Sequence, residues 1–389
     1  MSGASPKVTS HAWAGLLAVI AAAAVAYTFL RVEGQWELGA IGVGVTVVLI
    51  WLGRTRLLAR VQRSWSERPT LLGLCSLAAA LCVLALFGED HFALLMVTTV
   101  LLFAITALGL TIQFGYAGVV NFSGAAFFGI GGYTAAVLAT QTQLPHLLIL
   151  LIGGILAAVV GSLLVLPLLR TRGHYAALIT VAFAILFKTF LEVNDTLGGP
   201  QGMKVPGLQL FGWSLNSNIE LGEDVELSFY LSYAVLSLAL FAGAMVIVRR
   251  LERSWLGLSL DVVRIDETAA AVFGLEVARW KIFAFTLGNV LAGVAGAVYG
   301  MMTGFVAPAS FTLSESLIFV SIVILGGLGN PMAVLPAAAL VVLLPEKLQA
   351  IQEYRFLLFS VFVILVLLFR PEGLMPRSMR DYFPGWRQS

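Results

Sequence analysis

Long unbroken apolar runs dominate the chain, and short clusters of charge, Gly and Pro cut them apart. The runs fall near 12–30, 36–53, 70–87, 92–113, 118–140, 146–169, 175–193, 228–248, 281–303, 313–328, 332–350 and 354–370. Most come close to the roughly 20 residues that carry an α-helix across a bilayer. The pattern predicts an all-α polytopic membrane protein with about 10–12 transmembrane helices. The Gly-rich runs are candidates for broken or re-entrant helices.

The polar connections set the direction of the crossings. Arg54, Arg56, Arg60, Arg63 and Arg68 follow the second run. Arg249, Arg250, Arg253, Arg264, Arg279 and Lys281 follow the eighth, and Arg370, Arg377, Arg380 and Arg387 follow the last. Acids fill the alternate connections: Glu33 and Glu37, Glu89 and Asp90, then Glu220, Glu223, Asp224 and Glu226. Basic loops stay in the cytoplasm, so the expectation is a cytoplasmic-membrane protein with both termini inside. Lys7 and the Ala-rich stretch ending Val25-Ala26-Tyr27 imitate a signal peptide, but the further spans that follow favour an uncleaved first helix. The expected organisation is a two-helix extension over 1–68 ending in the Arg-rich linker, a transmembrane domain over 69–376, and a cytoplasmic tail over 377–389.

Composition narrows the function. Hydrophobic residues are 59% of the chain and charged residues 11%, against about 45–50% and about 25% in soluble domains. A large soluble enzyme domain is excluded. The net charge of +2 carries no nucleic-acid signature. Cys75 and Cys82 lie two turns apart on one helix face, too far for a disulfide, and are expected as buried small hydrophobes. His11, His91, His146 and His174 have no ligand spacing, so no metal is expected. None of the five lysines follows a glycine, so the ATP-binding loop G-x-x-x-x-G-K-[ST] is absent. No cluster of acids, His or Cys marks an enzyme. Apart from Lys188 and Glu192, expected as an i,i+4 ion pair, the spans are nearly free of the ionisable groups an ion-coupled carrier would use.

Two connections are long enough to act outside the bilayer. Residues 194–227 open with Asn194-Asp195-Thr196-Leu197-Gly198-Gly199-Pro200-Gln201-Gly202 and read either as an ordinary loop or as a lid or docking surface. Residues 249–281 contain a stretch from Ser259 to Gly274 that reads as one short amphipathic helix. Val262, Val263, Ala270 and Phe273 would form its apolar face, with Arg264, Asp266 and Glu267 on another. Such a helix either lies on lipid or presses into a soluble partner.

Four stretches resemble the permease subunits of branched-chain amino acid ABC importers, in the LivM-type form. The first is Phe114-Gly115-Tyr116-Ala117-Gly118-Val119-Val120-Asn121-Phe122-Ser123-Gly124-Ala125-Ala126-Phe127-Phe128-Gly129-Ile130-Gly131-Gly132-Tyr133. The second runs from Arg172-Gly173-His174-Tyr175 through Thr180 to the Gly198–Gly202 turn. The third, Arg264-Ile265-Asp266-Glu267-Thr268-Ala269-Ala270 to Gly274, is similar to the loop such permeases present to their ATPases. The last joins Ile324-Leu325-Gly326-Gly327-Leu328-Gly329-Asn330-Pro331 with Glu353-Tyr354-Arg355 and Phe369-Arg370-Pro371-Glu372-Gly373-Leu374. The chain departs from the pattern at Thr268, where an acid commonly precedes the alanines, and at Ile185, where the family often has an acid.

The resemblance implies a permease with no cofactor of its own, driven by ATP that separate ABC ATPase subunits hydrolyse. It implies a bacterial or archaeal inner membrane, a second and non-identical permease subunit, and an external or periplasmic solute-binding protein. Leucine, isoleucine and valine are the implied cargo, with urea, short amides or aromatic acids as alternatives and an ion-coupled carrier as the rival mechanism. The ATPase contact would use Arg264, Asp266, Glu267, Ala269, Ala270 and Gly274. Candidate pathway residues are Gln113, Tyr116, Asn121, Ser123, Gly131, Tyr133, Thr180 and Asn289, chosen as polar or small positions near the Gly-rich interruptions. Close helix packing through small residues is the competing explanation for those glycines.

Overall fold

A computed structural model describes residues 10–32, 69–169, 174–210, 212–220 and 226–347, with single positions between 44 and 64 and between 354 and 377. The expected spans at 36–53 and 354–370, the Arg-rich linker and nearly all of the tail therefore lie outside the described residues. The described helices are α1 Ser10–Arg31, α2 Pro69–Leu86, α3 His91–Leu110, α4 Gly124–Gln141, α5 His146–Leu169, α6 His174–Val193 and α7 Tyr230–Arg253. They continue with α8 Trp255–Ile265, α9 Glu267–Val272, α10 Val277–Thr303, α11 Leu313–Gly326 and α12 Val334–Lys347.

Among the described residues, six helical segments are long and apolar enough to cross a membrane: α3 with its extension to Tyr116, α5, most of α6, α7, α10, and α11 with the turn before it. Polar residues set several of the starts. The Asp90 carboxylate accepts from Ala93 N at 3.0 Å to cap α3, and the Thr312 hydroxyl accepts from Glu315 N at 3.4 Å at the start of α11. Such caps satisfy backbone donors that the first turn leaves unpaired.

α10 is the centre of the bundle, with α5, α4 and α3 packed around it. Small residues make this possible. Gly131 and Gly132 of α4 face Gly293 and Gly296 of α10, and Gly109 of α3 faces Gly288. An added Cβ at Gly131 would collide with the Gly293 carbonyl oxygen. Without water competing for apolar surface, close backbone approach is a main source of helix association in lipid. Aromatic rings fill the remaining space. Phe319 of α11 lies 4.7 Å from Phe103 and 5.5 Å from Phe128, and Phe127 lies 5.8 Å from Phe285. Each such pair adds about 0.5–1.5 kcal/mol beyond the area it buries.

The outer faces of α5 and α6 expose Leu151, Ile155, Leu163, Leu178, Leu186 and Phe190, an apolar surface suited to lipid chains. Cys82 is also exposed, on α2, and Cys75 is half-buried, so the expectation that both cysteines are buried fails. Lys188 and Glu192 form the expected pair at 3.1 Å.

The two ends of the bundle differ. At one end His91 of α3 hydrogen-bonds Ser228, just before α7, and α7 finishes at the opposite end in Arg250 and Arg253. The end with those arginines, α8 and α9 is the basic end; the other is the far end. The described residues among 194–227 form a pinned cap on the far end, built largely from short strands. β1 (Met203–Lys204) pairs antiparallel with β6 (Phe305–Val306), and β2 (Gln209–Leu210) with β3 (Trp213–Ser214). β4 (Ile219–Glu220) pairs with β5 (Glu226–Leu227). The cap is tied down by Tyr233, whose hydroxyl accepts from Leu208 N at 2.8 Å and donates to Asn216 Oδ1 at 2.6 Å. Gly202 has φ +76° where the chain crosses Val306, a backbone conformation that suits glycine.

α1 leans on α2 and is tied to the core at its C-terminal end. The Lys347 amine donates to Leu30 O at 2.9 Å and Val32 O at 3.2 Å, satisfying carbonyls that the helix end leaves free.

Candidate functional site

The first Gly-rich interruption begins where α3 widens into a π-turn over Thr111–Tyr116, and the chain is non-helical from 117 until α4 starts at Gly124. Such turns swing side chains out of the regular helical stack. Gln113 thereby reaches α10. Its amide donates to Phe285 O at 3.1 Å and Asn289 Oδ1 at 3.0 Å. Its oxygen accepts from Asn121 Nδ2 at 2.7 Å. Asn121 Oδ1 in turn accepts from the Ser123 hydroxyl at 2.5 Å and Ser123 N at 2.9 Å. Gln113, Asn121, Ser123 and Asn289 are all buried. Four candidate pathway residues thus form one connected polar network inside the bundle, and Asn289 Nδ2 within it has no hydrogen-bond partner. An added Cβ at Gly161 of α5 would overlap that amide.

The other candidates are placed differently. Thr180 of α6 accepts from Phe122 N at 3.0 Å and so holds the non-helical segment. Gly131 is at the α4–α10 contact. Tyr133 is buried with its ring 5.8 Å from Phe311 and its hydroxyl unpartnered. Tyr116 is fully buried, and the Arg377 guanidinium lies 4.6 Å from its ring centre.

The second interruption meets the first. Gly115 sits against Gly329 so closely that a Cβ there would overlap the Gly329 backbone. The chain after the last span returns to the same place. Leu374 N donates to Leu325 O at 2.7 Å, Met375 N to Gly326 O at 3.1 Å, and Asn330 Nδ2 to Met375 O at 3.1 Å. Arg377 then clasps Asp261 of α8 with both forks, Nη1 to Oδ1 at 2.6 Å and Nη2 to Oδ2 at 2.9 Å. Glu252 lies 3.8 Å from its Nε. Burial works against the Arg377 charge, but hydrogen bonding and the negative charge of Asp261 outweigh it and raise the arginine pKa. Arg377, expected as the first residue of the cytoplasmic tail, therefore packs against the bundle.

At the basic end, the single helix expected over 259–274 is two. α8 stops at Ile265, and Asp266, extended at φ −154°, starts α9 by accepting from Thr268 N at 2.8 Å and Ala269 N at 3.0 Å. One aspartate ends one helix and caps the next. The turn rotates the following residues, so the expected apolar face is not shared. Val263 and Ala270 are buried, while Phe273 is 81% exposed beside Val272 at 80% and Ile265 at 76%. Glu267 Oε1 pairs with Lys281 at 2.5 Å, Arg264 lies 3.8 Å from Asp261, and Gly274 closes α9 at φ +82°. Ala269, next to buried Ala270, is half-buried.

Toward the far end a cavity of about 290 Å³ is lined by Phe103, Tyr299, Glu315, Ile318, Val342 and Glu346 among others. The two carboxylates were missed as a pair, because they stand on separate helices, α11 and α12. Among the described residues no group of three or more His, Cys, Asp or Glu is placed to hold a metal ion.

Interrupted membrane helices, a buried polar network beside them and an apolar knob at one end define an all-α polytopic transport protein. The chain belongs to the family described as branched-chain amino acid transport system / permease component, which matches residues 92–369. It is similar to the high-affinity branched-chain amino acid transport system permease protein LivM of Escherichia coli K12, 34% identical over 294 residues, or 72% of this chain and 69% of that one. The LivM protein of Salmonella typhimurium is 33% identical over the same shares. A probable LivM permease of Methanocaldococcus jannaschii is 25% identical over 71% of this chain and 91% of its own. No solved structure matches the chain at a significant level. The family match starts at 92, so α1 and α2 lie outside it.

Proposed function

We propose that this permease is the LivM-type membrane subunit of an ABC importer for leucine, isoleucine and valine in the cytoplasmic membrane. The basic end faces the cytoplasm, in keeping with the arginines collected there, and both termini lie inside. The observation that carries the coupling is the exposed apolar knob of Ile265, Val272 and Phe273, gathered around the short capped helix α9. Large apolar side chains at the polar end of a membrane protein call for a protein partner. The knob fits a groove on an ABC ATPase, whose ATP-driven closure would move α8 and α9 together. Arg264, Asp266 and Glu267 hold the knob's shape, through the Asp261 contact, the cap and the Lys281 pair.

The permease binds no cofactor and leaves ATP hydrolysis to the ATPase. A second, non-identical permease completes the pathway, and the cap over 194–227 receives a solute-binding protein. The polar network of Gln113, Asn121, Ser123 and Asn289 supplies groups for the zwitterion when the bundle opens, and the surrounding Phe and Leu side chains suit an aliphatic cargo. An ion-coupled carrier would instead draw on Glu315 and Glu346 in the far-end cavity. Uptake that requires ATP and persists after the proton gradient is collapsed separates the two.

The test is Phe273→Asp. Purified with the whole importer, the variant should retain the second permease and lose the ATPase, with uptake falling at least tenfold. An importer that keeps its ATPase and wild-type uptake with Asp at 273 would overturn the docking assignment.

A further inference from the structure

Three separate parts of the fold converge on one arginine. The first interruption contributes Tyr116, whose fully buried ring lies 4.6 Å from the Arg377 guanidinium. The second contributes Gly329, where an added Cβ would come within 2.9 Å of Arg377 Cδ. α8 contributes Asp261, bound by both forks at 2.6 and 2.9 Å. A bidentate arginine–carboxylate pair fixes orientation as well as distance, and a cation over an aromatic face adds a second directional contact. We propose that Arg377 is a positioning residue for transport: it links the coupling segment to the junction of the two interrupted helices, so that a movement of α8 moves Tyr116 and the Gly115–Gly329 contact.

α8 also packs directly on the first interruption. Arg264 reaches the first interruption through its Cγ, against Gly118, but its 3.8 Å approach to Asp261 is a looser contact within α8 itself. Arg249, Glu252 and Arg253 all sit on α7 beside the pair. Glu252 is 3.8 Å from Arg377 Nε and adds a second negative charge without the fork geometry. The strand of chain carrying Arg377 is itself anchored to the end of α11 at Leu325 and Gly326 and to Asn330. A pull on Asp261 is therefore passed to the end of α11 as well as to Tyr116. Bundles with two discrete packings transmit motion through contacts of this kind.

This inference rests on the reading of α8 and α9 as the ATPase-contacting segment, and the experiment keeps the two apart. The complete importer carrying Arg377→Gln or Arg377→Lys is reconstituted in liposomes, and uptake and ATP hydrolysis are measured on the same preparation per assembled complex. The expected result is that the ATPase still co-purifies while uptake per ATP hydrolysed falls at least fivefold in both variants, since lysine keeps the charge but lacks the fork. The Asp261→Arg, Arg377→Asp exchange should recover part of that ratio. A variant that lowers uptake and hydrolysis in equal proportion has only lost stability, and that outcome overturns the link, as does wild-type uptake per ATP in Arg377→Gln. If the wild-type preparation contains no ATPase and transports without ATP, the coupling reading fails first and takes the inference with it.

Discussion

Replacing Gly131 with alanine adds one methyl group where α4 lies against the backbone of α10. The new Cβ would meet the Gly293 carbonyl oxygen, carbon and Cα, all backbone atoms that cannot rotate away. α4 and α10 would have to part, and both are held on their other faces by α3 and α5. Overpacking of this kind costs about 1–3 kcal/mol. Alanine also favours a helix over glycine by about 1 kcal/mol, which partly hides the strain. Gly243 of α7, with nothing within 4 Å of its Cβ position, provides the control. Gly243→Ala gains the same propensity with no collision. The difference between the two variants therefore isolates the packing term, about 1–3 kcal/mol, or roughly 5- to 150-fold in the ratio of folded to unfolded protein. Both variants would be heated in mild detergent as fluorescent fusions and the monodisperse fraction followed by size exclusion. Gly243→Ala should melt at or above the wild type and Gly131→Ala clearly below it. Equal melting of the two would refute the claim that glycine at 131 is required by helix contact.

Two further outcomes follow from the same bundle. Gln113→Ala leaves Asn289 Oδ1, Phe285 O and Asn121 Nδ2 without the partner they now share, at about 1–3 kcal/mol for each group that stays unsatisfied; detergent melting should drop further than for any single threonine removed from α3, and a neutral result would mean the network is not closed as described. Lys188→Gln breaks a pair whose side chains are 37% and 38% exposed; pairs that open to their surroundings contribute about 0–1 kcal/mol, so melting and uptake should both stay near wild type, and a loss of uptake would give Lys188 a role in transport.

The spans were legible because an apolar run of about 20 residues has few other uses. The polar candidates near the first glycines were legible too, since Gln, Asn and Ser stand out in so apolar a chain. That Gln113 and Asn289 bond each other was not, because a 176-residue separation leaves no local signal. The segment over 259–274 misled for a definable reason. Asp266, expected on the polar face of a single helix, is an N-cap, and a cap needs extended backbone and so also ends the helix before it. That one turn moved Phe273 from the apolar face expected to be shared with Val263 and Ala270 to the most exposed position of the knob. Arg377 falls in the expected tail because it follows the last apolar run, and only the folded chain brings it to Asp261 and Tyr116. Glu315 and Glu346 passed unremarked because each sits near the end of its own helix.

The central claim is that this chain carries branched-chain amino acids inward at the expense of ATP hydrolysed by a partner. It is tested most directly by uptake of labelled leucine into liposomes holding the complete importer, with ATP inside, solute-binding protein outside, and the chain either present or omitted. The account predicts concentrative uptake that needs both ATP and this chain and is competed by isoleucine and valine. Uptake that proceeds without the chain or without ATP, or the absence of leucine uptake from a fully assembled complex, would contradict it.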